Sequence, residues 1–102
     1  MADITGYVKP KLSDRIVAVV TPTRLKIYLL AKKKPRNIRQ LQEELNMTYP
    51  ATWKQIKILE EAHLVELKNI ITKKGKEVIV KAIIPGNLLQ RVINQLKKEY
   101  KL

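Results

Sequence analysis

The chain has 102 residues, room for one domain with a modest core, since a chain this size buries somewhat under about 70% of its unfolded surface. Its apolar content of 45%, with only 3 glycines and 5 prolines, argues against a disordered chain and a turn-rich sandwich, so helix is the expected majority. With 21 basic against 9 acidic side chains the formal charge is +12, which favours a polyanionic partner, although solvated lysine faces on helices give the same balance.

No cysteine is present, which removes disulfides, thiolate nucleophiles and cysteine-ligated zinc. The opening MADITGYVKPKLSD has no apolar run behind a basic start. The longest apolar patches, at residues 16–20 and 83–84, fall far short of the roughly 20 residues of a transmembrane helix. A soluble cytoplasmic protein without membrane contact is the expectation.

Residues 1–11 contain glycine, proline and lysine without a period and are expected to form a flexible arm. From Leu12, LSDRIVAVV offers Ser13 as a cap and Leu12, Ile16, Val19 and Val20 at helical spacing. Helix is preferred there, although the Ile-Val-Ala-Val-Val run also suits a short strand. Thr21 followed by Pro22 predicts the start of a helix that carries Leu25, Ile27, Tyr28, Leu29 and Leu30 inward and ends near Lys32, before Pro35. Lys32, Lys33 and Lys34 fall where the helix dipole favours cations. With Arg36 and Arg39 nearby, their functional reading is phosphate contact.

Asn37 with Gln40 three residues on predicts a capping box for a short helix with Ile38, Leu41 and Leu45 inward, and Asn46 suits the left-handed position that ends it. Thr48 or Tyr49 then caps a helix with Pro50 in its first turn and Thr52, Ile56 and Leu59 facing the core. At about 100° per residue, Lys54, Lys57 and Glu61 are carried to the far side and Trp53 sits at the edge. Ile58 and Ala62 make a second apolar edge. Leu64 to Leu67 alternates, and Lys68 with Asn69 is read as a turn toward Ile70 and Ile71, a very short β-hairpin. Thr72 then reads as the cap of a helix over KKGKEVIVKAII, with Val78, Ile79, Ala82 and Ile83 at helical spacing and Gly75 in its first turn. Pro85 and Gly86 break the chain, and Asn87 caps a last helix, LLQRVINQLKKEYKL. Its stripe of Leu89, Val92 or Ile93, Leu96 and Tyr100 folds back on the domain or pairs with a second subunit, and a dimerisation helix over residues 87–102 is the favoured reading.

In this order the pieces resemble a winged helix-turn-helix domain of the ArsR and MarR-like type, found in transcription regulators of archaea, bacteria and archaeal viruses. TPTRLKIYLL resembles its first core helix, NIRQLQEEL its support helix, TYPATWKQIKILEEAHLVEL its recognition helix and wing entry, and ITKKGKEVI the end of its wing and the start of the following helix. The resemblance, over residues 21–84, implies a mostly α winged-helix domain, taken as residues 12–84, with a very short hairpin and an additional C-terminal helix. It implies that Tyr49, Ala51, Trp53, Lys54 and Lys57 lie nearest the major groove, and that Lys68, Asn69, Lys73 and Lys74 serve as wing or phosphate contacts. Two departures stand out: His63 occupies a position where the family usually has glycine, and the wing reads as nearly absent.

Trp53, the single tryptophan, fits three roles: covering the core edge, touching sugar or a thymine methyl, or meeting a protein. Lys54 and Lys57 are adjacent outward cations suited to phosphate, though a solvated lysine face costs only a few tenths of a kcal/mol. His63 has no second histidine, cysteine or clustered carboxylate with which to complete a metal site or triad. The neighbouring pairs Glu43, Glu44 and Glu60, Glu61 point in different directions, and KKGKE lacks the spacing of a phosphate-binding loop. The sequence therefore predicts no enzyme and no cofactor. It predicts a homodimeric transcription regulator whose helix over residues 50–62 enters the major groove of a palindromic double-stranded site, with Leu89, Val92, Ile93, Leu96 and Tyr100 at the dimer interface. The alternatives are a winged-helix protein-interaction module and a non-specific architectural DNA-binding protein. An aromatic content of 5% without phenylalanine counts against single-strand binding.

Overall fold

A few polar side chains fix where the helices begin in the computed structural model, which describes residues 9–102. The arm expected over residues 1–11 lies mostly outside the described residues. Asn37 Oδ1 accepts the Gln40 amide at 2.8 Å while Gln40 Oε1 accepts the Asn37 amide at 3.0 Å, so the capping box forms as expected and starts α3 (Ile38–Leu45). Thr48, the first of the two candidates, caps α4 (Tyr49–Glu61) by accepting the Ala51 amide at 3.3 Å. Thr21 and Pro22 open α2 (Pro22–Lys33) by position, without a side-chain bond from Thr21. The first helix, α1 (Leu12–Val20), starts differently from expectation: Lys11 takes the cap position and its amide donates to Asp14, leaving Ser13 out.

Three helices end with a left-handed residue, and none of the three is glycine: Asn46 after α3, His63 after α4 and Lys101 after α5 (Asn87–Tyr100). After α4 the His63 amide donates to the Glu60 carbonyl and the Leu64 amide to the Leu59 carbonyl, both at 3.0 Å. This doubly bonded end, with Leu59 and Leu64 both buried, turns the chain sharply into the hairpin.

Among the described residues three strands complete the fold: β1 (Arg36–Asn37), β2 (Val65–Thr72) and β3 (Gly75–Ala82), antiparallel in the order β1-β3-β2. The fold is the mostly helical winged helix-turn-helix with an added C-terminal helix. Within it two local expectations are corrected. Residues 75–82 form strand β3 instead of a helix, and the chain reverses at Lys73 and Lys74 instead of Lys68 and Asn69. Val65, Leu67 and Asn69 stand opposite Ala82, Val80 and Val78, so the alternate residues of KEVIVKA share one face, and all but Asn69 pack on the core. Thr72 Oγ1 closes the turn rather than capping a helix, accepting the Lys74 amide at 3.2 Å and donating to the Gly75 carbonyl at 3.1 Å. Gly75, at φ +116°, supplies the backbone angle the reversal needs. The wing thus has strands of 8 residues and is not nearly absent.

The core joins Val19 of α1, Leu25 and Tyr28 of α2, Leu41 of α3, Ile56 and Leu59 of α4, Val65 and Val80 of the sheet, and Leu89 and Ile93 of α5. Each such aliphatic side chain stabilises the fold by roughly 1.5–3 kcal/mol. Two arginines tie the layers together. Arg24 caps the end of α1 through Nε to the Ala18 carbonyl at 2.6 Å and reaches Gln55 of α4 at 2.9 Å. Arg15 donates to the carbonyls of Ala62 at 3.0 Å and of His63 and Pro85, both at 3.2 Å. At the other end of α5, the Tyr100 hydroxyl donates to the Val20 carbonyl, so α1 lies alongside α5.

Arg15→Met, which keeps the stem and removes the donors, is expected to lower the unfolding free energy by about 2–3 kcal/mol at unchanged m-value in urea. A second expectation concerns Tyr28, whose hydroxyl donates to the Ile83 carbonyl at 2.8 Å and whose pKa burial raises above its ordinary value of 10.0. A raised folded-state pKa contributes stability that is present below the unfolded value and lost as pH climbs toward the folded one. Stability measured at intervals above pH 10 should therefore fall less steeply in Tyr28→Phe than in the parent chain.

Candidate nucleic-acid interface

The rotation of α4 decides what it presents. Thr52, Ile56 and Leu59 are buried, and the Thr52 hydroxyl is satisfied by the Thr48 carbonyl at 2.8 Å. Pro50, Lys54 and Glu61 consequently lie opposite the core and are exposed. Along one flank runs the stripe Tyr49, Trp53, Lys57. The Tyr49 and Trp53 rings are nearly parallel, 6.5 Å apart at their centroids, and Lys57 Nζ stands 5.6 Å from the Trp53 centroid. Lys57 also donates to Glu60 Oε1 at 2.5 Å, and this hydrogen bond raises the lysine pKa above its ordinary value.

Beside Tyr49 a recess of about 160 Å³ opens between the start of α3 and β3, lined by Arg39, Gln42, Lys76 and Glu77. It brings one cation from α3 and one from the wing to the start of α4, where the first-turn amides of α3 add positive potential. Lys73 and Lys74 form the exposed wing tip, beside Ile71, which is 84% exposed.

An uncharacterized HTH-type transcriptional regulator of Methanocaldococcus jannaschii is 34% identical over 65 residues, covering 64% of this chain and 68% of that protein. The model of the bacterial regulatory proteins of the arsR family matches residues 21–66, from the cap of α2 to the first residues of β2. The chain belongs to the family of that HTH-type transcriptional regulator. Two solved structures share its fold. The homodimeric winged helix-turn-helix DNA-binding domain of a possible ArsR-family regulator from Mycobacterium bovis has a TM-score of 0.68 at 16% identity, over 88% of this chain and 78% of that one. The transcriptional regulator homologue of Pyrococcus horikoshii has a TM-score of 0.67 at 22% identity, over 88% and 93% of the two chains.

Of the residues singled out in the sequence of this helix-turn-helix regulator, Tyr49, Trp53, Lys54 and Lys57 share the outer surface of α4, while Ala51 is half-buried. Lys68 and Asn69 are exposed within β2, away from the turn. Arg36 points inward: its side chain is 9% exposed and bonds Glu44 at 2.6 Å, which removes it from the surface that Arg39 joins. Lys32 bonds Gln90 of α5 at 3.0 Å, and Lys33 and Lys34 line other recesses than the one beside Tyr49. In α5, Leu89 and Ile93 are fully covered by their own chain, Val92, Leu96 and Tyr100 are half-buried, and Leu88 is 62% exposed. An apolar surface absent from the sequence expectations lies on α1, where Leu12, Val17 and Val20 are all exposed. Its signal was present, because LSDRIVAVV carries more apolar residues than one buried stripe uses.

Stacking on Tyr49 and the cation above it hold the indole of Trp53 in place without contributing much to stability. Tyr49→Ala is expected to change the unfolding free energy by less than about 1 kcal/mol while raising acrylamide quenching of the single tryptophan.

Proposed function

We propose that this protein is a transcription regulator that binds double-stranded DNA as a homodimer, with α4 in the major groove. The observation that carries the reading is the outer surface of α4, where Lys54 stands opposite the core and Tyr49, Trp53 and Lys57 line one flank beside a recess holding Arg39 and Lys76. Lys54, Tyr49 and Trp53 then meet base edges and sugars. Arg39, Lys76, Lys68, Lys73 and Lys74 neutralise phosphates on either side. The Lys57 ammonium is held by Glu60, so phosphate binding there exchanges one anion for another.

The dimer reading rests on exposed apolar surface on the two helices that lie side by side. Leu12, Val17 and Val20 of α1 and Leu88 of α5 supply it, with the half-buried Val92 beside Leu88, while Leu89 and Ile93 support α5 from below. The Mycobacterium bovis domain of the same fold is homodimeric, which supports the same assembly here. A two-fold pair of α4 helices fits a palindromic site with half-sites about one helical turn apart.

Fluorescence anisotropy with a duplex carrying the chain's own promoter and with a random duplex, over a salt series, tests the reading. The parent is expected to prefer one site by at least about 10³-fold. Lys54→Glu with Lys57→Glu should abolish that preference and flatten the salt slope. Glu60→Gln, which frees Lys57, should tighten binding to both duplexes. Unchanged affinity in the double variant with an intact fold would overturn the assignment of α4 and favour the protein-interaction reading.

A further inference from the structure

Between α2 and α5, a cleft of about 610 Å³ has an apolar floor and a cationic rim. Leu29 and Leu30 of α2 and Leu102 form the floor. Lys26, Lys32 and Lys33 of α2 face Lys97 of α5 around it, and no Asp or Glu side chain is among the lining residues. The volume falls within the range of small-molecule sites, which are mostly apolar with a few polar groups that fix orientation. One wall is braced, since Lys32 Nζ donates to Gln90 Oε1 at 3.0 Å and Gln90 Nε2 donates to Asn94 Oδ1 at 2.8 Å.

Neither DNA nor a second subunit accounts for this arrangement. Phosphate needs cations but gains nothing from a leucine floor, and the α4 surface and its recess share no residue with the cleft. On α5, Gln90 and Lys97 occupy one flank of the buried Leu89 and Ile93 stripe. Leu88 and Val92, which carry the proposed dimer surface, fall on the other flank at about 100° per residue. The cleft therefore remains open in that dimer.

We propose that the α2–α5 cleft is a binding site for an amphiphilic anion, a small molecule with one carboxylate-like head and an aliphatic tail. The head meets the ammonium groups of Lys26, Lys32, Lys33 and Lys97, and the tail covers Leu29, Leu30 and Leu102. Neither half suffices alone, because an exposed ion pair contributes little in water and the apolar floor gives no preference for an anion.

The test is isothermal titration of the full chain with decanoate below its micelle concentration, alongside acetate and inorganic phosphate. Saturable binding of one decanoate per chain is expected, with neither acetate nor phosphate competing at equal concentration. Lys26→Glu with Lys97→Glu should weaken decanoate by at least about tenfold, and Lys68→Glu with Lys73→Glu, on the wing, should leave it unchanged. Circular dichroism of both variants checks that the fold is kept. Unsaturable uptake, equal competition by phosphate, or equal weakening by the wing variant would each overturn the site.

Discussion

One guanidinium determines how the pieces of this fold sit against each other. Arg15 holds the last carbonyls of α4 through Ala62 and His63, and the carbonyl of Pro85 just before α5. The Ala62 and His63 carbonyls lie at the C-terminal, negative end of α4, where a delocalised cation with several donors fits better than an ammonium. The consequence is rotational. With the end of α4 pinned and Thr52, Ile56 and Leu59 locked in the core, the helix cannot roll, and Lys54 is directed away from the protein. The same contact anchors the start of α5, so the outward surface of α4 and the apolar surface shared by α1 and α5 are positioned by a single residue.

On α4 itself, the two lysines that the sequence treats alike are physically different. Lys54 is exposed and unpaired among the described residues, whereas Lys57 is engaged by Glu60 and lies over Trp53. An ion pair this exposed contributes little in water, so Glu60 is a weak competitor, comparable to what a phosphate offers in return. In the proposed complex Lys54 adds affinity outright. Lys57 adds little affinity and instead keeps the indole of Trp53 oriented until an anion arrives.

The parts of the fold governed by short-range chemistry were legible in the sequence. Asn37 with Gln40, Asn46 and Thr48 each do what their side chains allow within three or four residues, and the buried stripe of α4 follows from its period. β3 was not legible, because Val78, Ile79, Ala82 and Ile83 also satisfy a helical spacing. What selects strand is the pairing of Val80 with Leu67 on one side and Arg36 on the other, contacts between residues distant in sequence. Arg36 was misplaced for a related reason: joining the edge of β3 carries its side chain inward to Glu44, while Arg39, three residues on, stays outside on α3. The terminal stripe was read as one surface, yet Leu89 and Ile93 are used by the chain's own core. Hydrophobic periodicity gives the face of a helix but not the identity of what covers it.

The length of the wing alters what the basic charge can reach. Strands of 8 residues at about 3.3 Å per residue carry Lys73 and Lys74 roughly 25 Å from the base of the sheet, a distance a four-residue hairpin could not span. In the proposed complex Lys76, which pairs with Ile71 next to the turn, joins Arg39 in serving phosphates beside the groove that holds α4, and Lys73 and Lys74 at the tip serve the phosphates adjoining them. Ile70 and Ile71 lie near that tip, with Ile71 almost wholly exposed. In the proposed complex, apolar side chains flanked by lysines suit the mouth of a minor groove, whose walls are sugars and whose rim carries the phosphates. The wing tip therefore matches the chemistry of a groove edge more closely than a purely cationic tip would.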